Sequence, residues 1–128
     1  MVVDASVLVA IIMAEPERLL FERALFRANP RRISPVNWFE AATVAASRSA
    51  QGRAEMDLLM AAAGVVITPI DEAQMHLADH ARQAYGKGRH PAKLNLGDCF
   101  AYALAKAMRE PLLFKGDDFA HTDIVPAL

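Results

Sequence analysis

One cysteine, Cys99, stands alone in a chain of 128 residues. It has no partner for an internal disulfide, so a hydrophobic core must hold the fold, and a reducing cytoplasm suits the chain better than a secreted setting. Cys99 itself reads as a small core residue. An excess of charge of one sign is also missing: 14 Lys and Arg against 15 Asp and Glu leave a net charge of −1. That excludes a molecule drawn to nucleic acid by its overall field, and any RNA binding must come from a local basic patch. No apolar run reaches the roughly 20 residues of a membrane helix; the stretch from Ala5 to Ala14 is too short, and no Lys or Arg precedes it as in a signal peptide. Repeats, low-complexity tracts and linkers are absent too.

What the chain does have is apolar surface, with 54% hydrophobic residues against 23% charged. That composition argues against disorder and predicts one compact domain over residues 1–128, with apolar surface left over for a partner or a dimer face. Short β-branched runs alternate with helical patterns. MVV is a strand, followed by a helix from Ala5 or Ser6. Pro16 reads as the first-turn proline of ERLLFERALFRA. RRIS is a strand candidate, and Ser34-Pro35 opens a long helix, VNWFEAATVAASRSAQ, that Gly52 breaks or ends. RAEMDLLMAAAG closes at Gly64, and VVITPI is the clearest strand. Asp71 caps the next helix, GKGRHPAKLN is a loop, and Asn95 caps LGDCFAYALAKAMRE, which Pro111 stops. LLF is the next strand, KGDDFAHTD a loop, and Ile124-Val125 a candidate final strand. Such alternation predicts a mostly parallel sheet flanked by helices, with a ligand site beyond the carboxyl ends of its strands.

That rule gathers acids from distant parts of the chain. Asp4 ends the first strand, Asp117 and Asp118 follow LLF, Asp98 opens one helix and Glu40 lies in the second turn of another. Clustered carboxylates cannot all ionise cheaply without a cation, and a cluster of oxygen donors, with the neighbouring Cys99 read as core, points to Mg²⁺ or Mn²⁺ rather than zinc. Such ions activate water for attack on phosphodiesters. Each acid also has a plainer reading: Asp4 or Ser6 as a helix cap, Asp98 as an acid favoured by a helix N-terminus, Glu40 as a solvated charge, Asp118 as a loop cap.

The stretches VVDASVLVAI, SPVNWFEAA, LNLGDCFAYALA and LLFKGDDFAHTDI together resemble the PIN-domain ribonucleases, and within them the VapC-type toxins of bacterial type II toxin–antitoxin modules. The resemblance spans nearly the whole chain, in the family's order. It implies a three-layer α/β sandwich with a parallel central sheet, and Mg²⁺- or Mn²⁺-dependent endonucleolytic cleavage of RNA. It assigns Asp4, Glu40 and Asp98 to an acidic triad, with Asp4 and Asp98 as metal ligands, Asp117 as the fourth acid and Asp118 as the second choice for it. Ser6 supports a carboxylate or caps its helix. Asn95 caps its helix and Gly97 lets backbone approach the site. The resemblance further implies a homodimer silenced by a VapB-type antitoxin laid over an apolar groove, for which ASVLVAIIMAE and ERLLFERALFRA carry enough apolar surface.

Lys87, Arg89, His90 and Lys93 lie just before Asp98, and Lys115 flanks Asp117. They read either as phosphate contacts or as an ordinary solvated loop. Trp38, Phe39 and Tyr102 read as core or interface residues rather than base-stacking ones, and His76 and His80 as surface, because no third ligand accompanies them. Two alternatives belong to other classes. A receiver-like signalling domain would need a phosphoacceptor aspartate at the end of VVITPI, which it lacks; a catalytically inactive binding module would not need every acid.

Overall fold

Val2 and Val3 are both β-branched and fully buried, so the chain begins as a strand that must be covered on both faces. In the computed structural model, which describes residues 1–128, this strand, β1 (Val2–Val3), lies inside a four-stranded sheet. β2 (Arg31–Ile33) and then β3 (Val65–Ile67) extend the sheet on one side and β4 (Leu112–Leu113) on the other, so the order is β3-β2-β1-β4 and every pairing is parallel. Parallel neighbours require crossovers, which six helices supply: α1 (Ala5–Ile12), α2 (Arg18–Arg27), α3 (Pro35–Arg48), α4 (Ala50–Ala63), α5 (Glu72–Tyr85) and α6 (Leu96–Met108).

The period of two along β1 divides the core. Val3 packs with Ile33, Leu113 and the buried faces of α1 to α4, among them Leu8, Leu25, Ala45 and Met56. Val2 turns to the other side, where Leu112, Ala81, Tyr102 and Leu104 bring in α5 and α6. The expected three-layer sandwich is therefore present, with the carboxyl ends of β1, β2 and β4 all at one edge.

Several local expectations are corrected. Gly52 does not end the long helix: α3 stops at Arg48, and Ser49 caps α4 by accepting the Gly52 N–H at 2.9 Å. Glycine is needed there because a Cβ would lie 2.9 Å from the Ala45 carbonyl oxygen, where α4 turns back on α3. Pro16 precedes α2 rather than standing in its first turn, since helical residues begin at Arg18. VVITPI is an edge strand, paired only over Val65–Ile67, with Val66 and Ile67 exposed. The segment KGDDFAHTD contains a 3₁₀ turn over Asp118–His121. Ile124-Val125 forms no strand; Leu112 instead meets the C-terminal segment at one bridge to Pro126, whose missing N–H cannot extend a ladder.

Gly52→Ala distinguishes helix propensity from packing. Propensity alone favours alanine by about 0.5–1 kcal/mol, whereas the close approach to Ala45 predicts a net loss of about 1–3 kcal/mol. Chemical denaturation of the two proteins checks the sign.

Candidate active site

Asp4 leaves β1 and immediately caps α1. One carboxylate oxygen, Oδ2, accepts the Ser6 N–H at 3.0 Å and the Ser6 hydroxyl proton, and the whole residue is only 5% exposed. Both readings of this pair hold at once: Asp4 is the cap, and Ser6 is its support. The Ser6 oxygen also accepts the Lys115 N–H at 3.0 Å, so Asp4 is tied to the loop that follows β4.

Glu40 reaches the same place from α3. Ser34 caps that helix, with Pro35 as its first residue, and Asn37 and Glu40, three apart, share a face. The fully buried Asn37 amide faces three acceptors: Asp4 Oδ1 at 3.2 Å, Glu40 Oε2 at 3.4 Å and the Gly97 carbonyl at 3.0 Å. Asn37 thus joins β1, α3 and α6, and it is the site residue that sequence reasoning missed. Its available signal was an amide one helical turn before a candidate acid. Asn37 Oδ1 is buried without a protein partner.

Asp98 arrives from α6. Asn95 Oδ1 accepts the Asp98 N–H at 2.9 Å while Asp98 Oδ2 accepts the Asn95 N–H at 3.0 Å, a reciprocal capping box. The cap thus fixes the orientation of an acid that also lines the cleft. Gly97 makes room: a Cβ on it would lie 2.1 Å from Glu40 Oε2, so only glycine lets α6 pass this close to that carboxylate. Asp4, Ser6, Glu40, Asn95 and Asp98 line one cleft of about 200 Å³.

The electrostatics follow from this crowding. Burial pushes the Asp98 carboxyl up to about 7, assisted by the charges of Asp4, Asp118 and Glu40 and opposed by the Asn95 N–H. Burial also raises Glu40, with the Asp4 charge adding to it, against the relief given by Asn37. Asp4 is raised by burial despite both Ser6 hydrogen bonds. The donor set is entirely oxygen, as hard divalent cations require. No three His, Cys, Asp or Glu side chains stand close enough together to form a metal site by themselves.

Comparison with protein families matches residues 1–125 to the PIN domain. The chain belongs to the PIN-domain family. It is 46% identical over 125 residues to Ribonuclease VapC of Mycolicibacterium smegmatis, covering 97% of each chain. Ribonuclease VapC30 of Mycobacterium tuberculosis is 45% identical over 125 residues, covering 97% of this chain and 95% of that one. Among solved structures, Mycobacterium tuberculosis VapC20, a sarcin–ricin loop cleaving toxin, superposes with a TM-score of 0.78 at 13% identity, over 97% of this chain and 95% of that one. A toxin–antitoxin complex from Klebsiella pneumoniae gives a TM-score of 0.74 at 23% identity, over 99% and 97%. These two likenesses concern the fold.

In this PIN domain the remaining residues fall into place unevenly. The charge of Asp118 acts on both Asp4 and Asp98, whereas that of Asp117, at the head of the 3₁₀ turn, does not figure among the charges that raise them. The Lys115 ammonium turns away from the cleft to Glu15 and Glu17, and these carboxylates hold its pKa up. Its contribution to the site is its backbone N–H. Lys87, Arg89 and Lys93 are exposed on a loop braced by Lys87 N–H to Leu94 O at 3.0 Å and Leu94 N–H to Tyr85 O at 2.9 Å. Tyr102 is core, its hydroxyl donating to Asp123 at 2.9 Å. Trp38 lies under the Arg53 guanidinium, 5.1 Å from its ring centre, while Phe39 is exposed. His76 pairs at the surface with Glu72 at 3.5 Å.

A raised carboxyl binds its proton more tightly in the folded chain than in the unfolded one, so its contribution to stability is lost as pH rises through the folded value. In chelator, the melting temperature should therefore fall between pH 4 and 7 as Asp98 deprotonates. Asp98→Asn should flatten that slope and match or exceed the wild type at pH 7, measured by calorimetry.

Proposed function

We propose that this PIN domain is a Mg²⁺- or Mn²⁺-dependent endoribonuclease and the toxin of a type II toxin–antitoxin module. The observation that carries the reading is the convergence of Asp4, Glu40 and Asp98, from three separate elements, on one cleft in which burial raises all three and neighbouring acids add to it. The relatives named VapC ribonucleases support RNA as substrate.

In this reading Asp4 and Asp98 hold the cation, and Asp118 rather than Asp117 is the fourth acid, because its charge reaches both of them. A bound ion supplies a water of lowered pKa and neutralises charge developing on the phosphoryl oxygens. Glu40 orients the attacking water and takes its proton, a role suited to a carboxylate of raised basicity beside the two ligands. Asn37 keeps Glu40 and Asp4 apart at fixed spacing, and Gly97 leaves the space that Glu40 occupies. Water attacks phosphorus as the bond to the leaving oxygen breaks, with no covalent enzyme intermediate. Lys87, Arg89 and Lys93 hold flanking phosphates, a contact that carries no sequence information.

The cognate partner is an antitoxin of the VapB type, and the chain acts in the cytoplasm as a homodimer. Leu19, Leu20 and Phe26 leave α2 with exposed apolar surface for such contacts, and a basic antitoxin side chain complements the acidic cleft. The toxin–antitoxin complex with the same fold supports this partnership.

Purified protein incubated with structured RNA and Mn²⁺ should cut it, and chelator should stop the cutting. Asp4→Asn should reduce the rate to background, Glu40→Gln should lower it by about 10²–10⁴-fold, and Asn37→Ala by about 10–100-fold. Undiminished cleavage by Asp4→Asn would contradict the assignment.

A further inference from the structure

Next to the acid cleft lies a second and larger cavity, of about 530 Å³ against about 200 Å³. It opens between α5 and α6 beside the loop of residues 86–94, and Asn95 lines both spaces. Its volume falls within the range of small-ligand sites, ~300–1,000 Å³. The floor is apolar and buried, formed by Ala78, Leu94 and Cys99, with Phe100 beside them. The rim is cationic: Lys87 and Arg89 line it, and neither has a carboxylate partner. Arg82, also on the rim, is already paired with Asp79 at 2.8 Å.

An apolar floor under unpaired cations suits a flat, uncharged ring carried on a chain of phosphates. A donor is available at the boundary as well. Capping engages only the oxygen of the Asn95 side chain, through the Asp98 N–H, which leaves its amide hydrogens for a ring carbonyl or nitrogen. The loop that borders the cavity is held in place by its backbone hydrogen bonds and by the edge-on contact of Tyr85 with His90, 5.3 Å between ring centres. The cavity is therefore preformed.

We propose that this cavity receives one unstacked base of the RNA chain, adjacent to the phosphodiester that lies in the acid cleft, and sets base preference at that position. The inference rests on the endoribonuclease reading and extends it from a sequence-blind phosphate contact to a site that reads a base. Charge complementarity selects this occupant over an apolar peptide side chain, which would bury the floor and leave Lys87 and Arg89 unanswered.

The test is cleavage of a random-sequence RNA pool in Mn²⁺, with sequencing of the cut ends. The wild type should favour one base by roughly tenfold or more at a single position within a nucleotide or two of the cut. Leu96→Ala, which removes an exposed wall of the cavity, and Arg89→Ala should each bring that preference towards unity. This ratio is internal to each protein, so a loss of active fraction does not mimic it. Cutting with no base preference near the bond, or with wild-type preference in both variants, overturns the pocket and leaves the nuclease reading standing. Failure of the wild type to cut sinks the nuclease reading instead. The pocket is then judged by titrating the four nucleoside 5′-monophosphates into ¹⁵N-labelled wild type: saturable amide shifts over residues 86–89 and 95–100 are expected, and their absence overturns it.

Discussion

Asp4 is a carboxylate almost fully removed from water, at the end of a strand whose two residues are themselves the middle of the core. A buried charge of this kind is costly unless it is neutralised or well paired. Here its nearest company is acidic: Glu40, Asp98 and Asp118 all press on the same small region. The Ser6 donors and one Asn37 amide relieve Asp4 only in part, and its pKa stays raised. The crowding favours the protonated acids, and on the proposed function a hard divalent cation would relieve it instead.

Much of the surrounding structure can be understood as the means of tolerating that crowding. Gly97 gives up a side chain so that the Glu40 carboxylate can occupy its place. Asn37 stands between two acids and a carbonyl, a neutral donor where a lysine would neutralise the cluster and an aliphatic residue would leave three acceptors unmet. The capping box of α6 uses one Asp98 oxygen for the fold and fixes the direction of the other. The same residues therefore hold helix ends and hold the site. On the proposed function, stability and activity are opposed at this edge of the sheet, because neutralising an acid relieves repulsion and removes a proposed ligand together.

How far the sequence announces this depends on the range of each interaction. Asp4 and Asp98 were readable because each stands at an element boundary, and Glu40 because it lies in the second turn of a helix that begins at the same edge of the sheet. Asn37 was not, since its meaning comes from Asp4, 33 residues earlier in the chain, and from Gly97, 60 residues later. Lys115 shows the complementary case: its backbone N–H reaches Ser6 beside the cleft, while its ammonium goes to Glu15, 100 residues away. Asp117 and Asp118 are adjacent and both exposed at the 3₁₀ turn, so composition does not separate them. The break at Ser49 was obscured by Gly52, a residue that looks like a stop but serves a close helix contact. VVITPI was rightly a strand, but periodicity does not distinguish an edge from a centre.

The proposed function implies that the acid cleft takes up a divalent cation and that Asp98 gives up a proton as it does so. It is tested most directly by calorimetric titration of Mn²⁺ into the protein at pH 6.5, in two buffers of different ionisation enthalpy. Asp98 is raised to about 7, so binding should release a substantial fraction of one proton per ion, and Asp98→Asn should reduce that release along with most of the affinity. Binding with no proton release, and with equal strength in Asp98→Asn, would contradict the account.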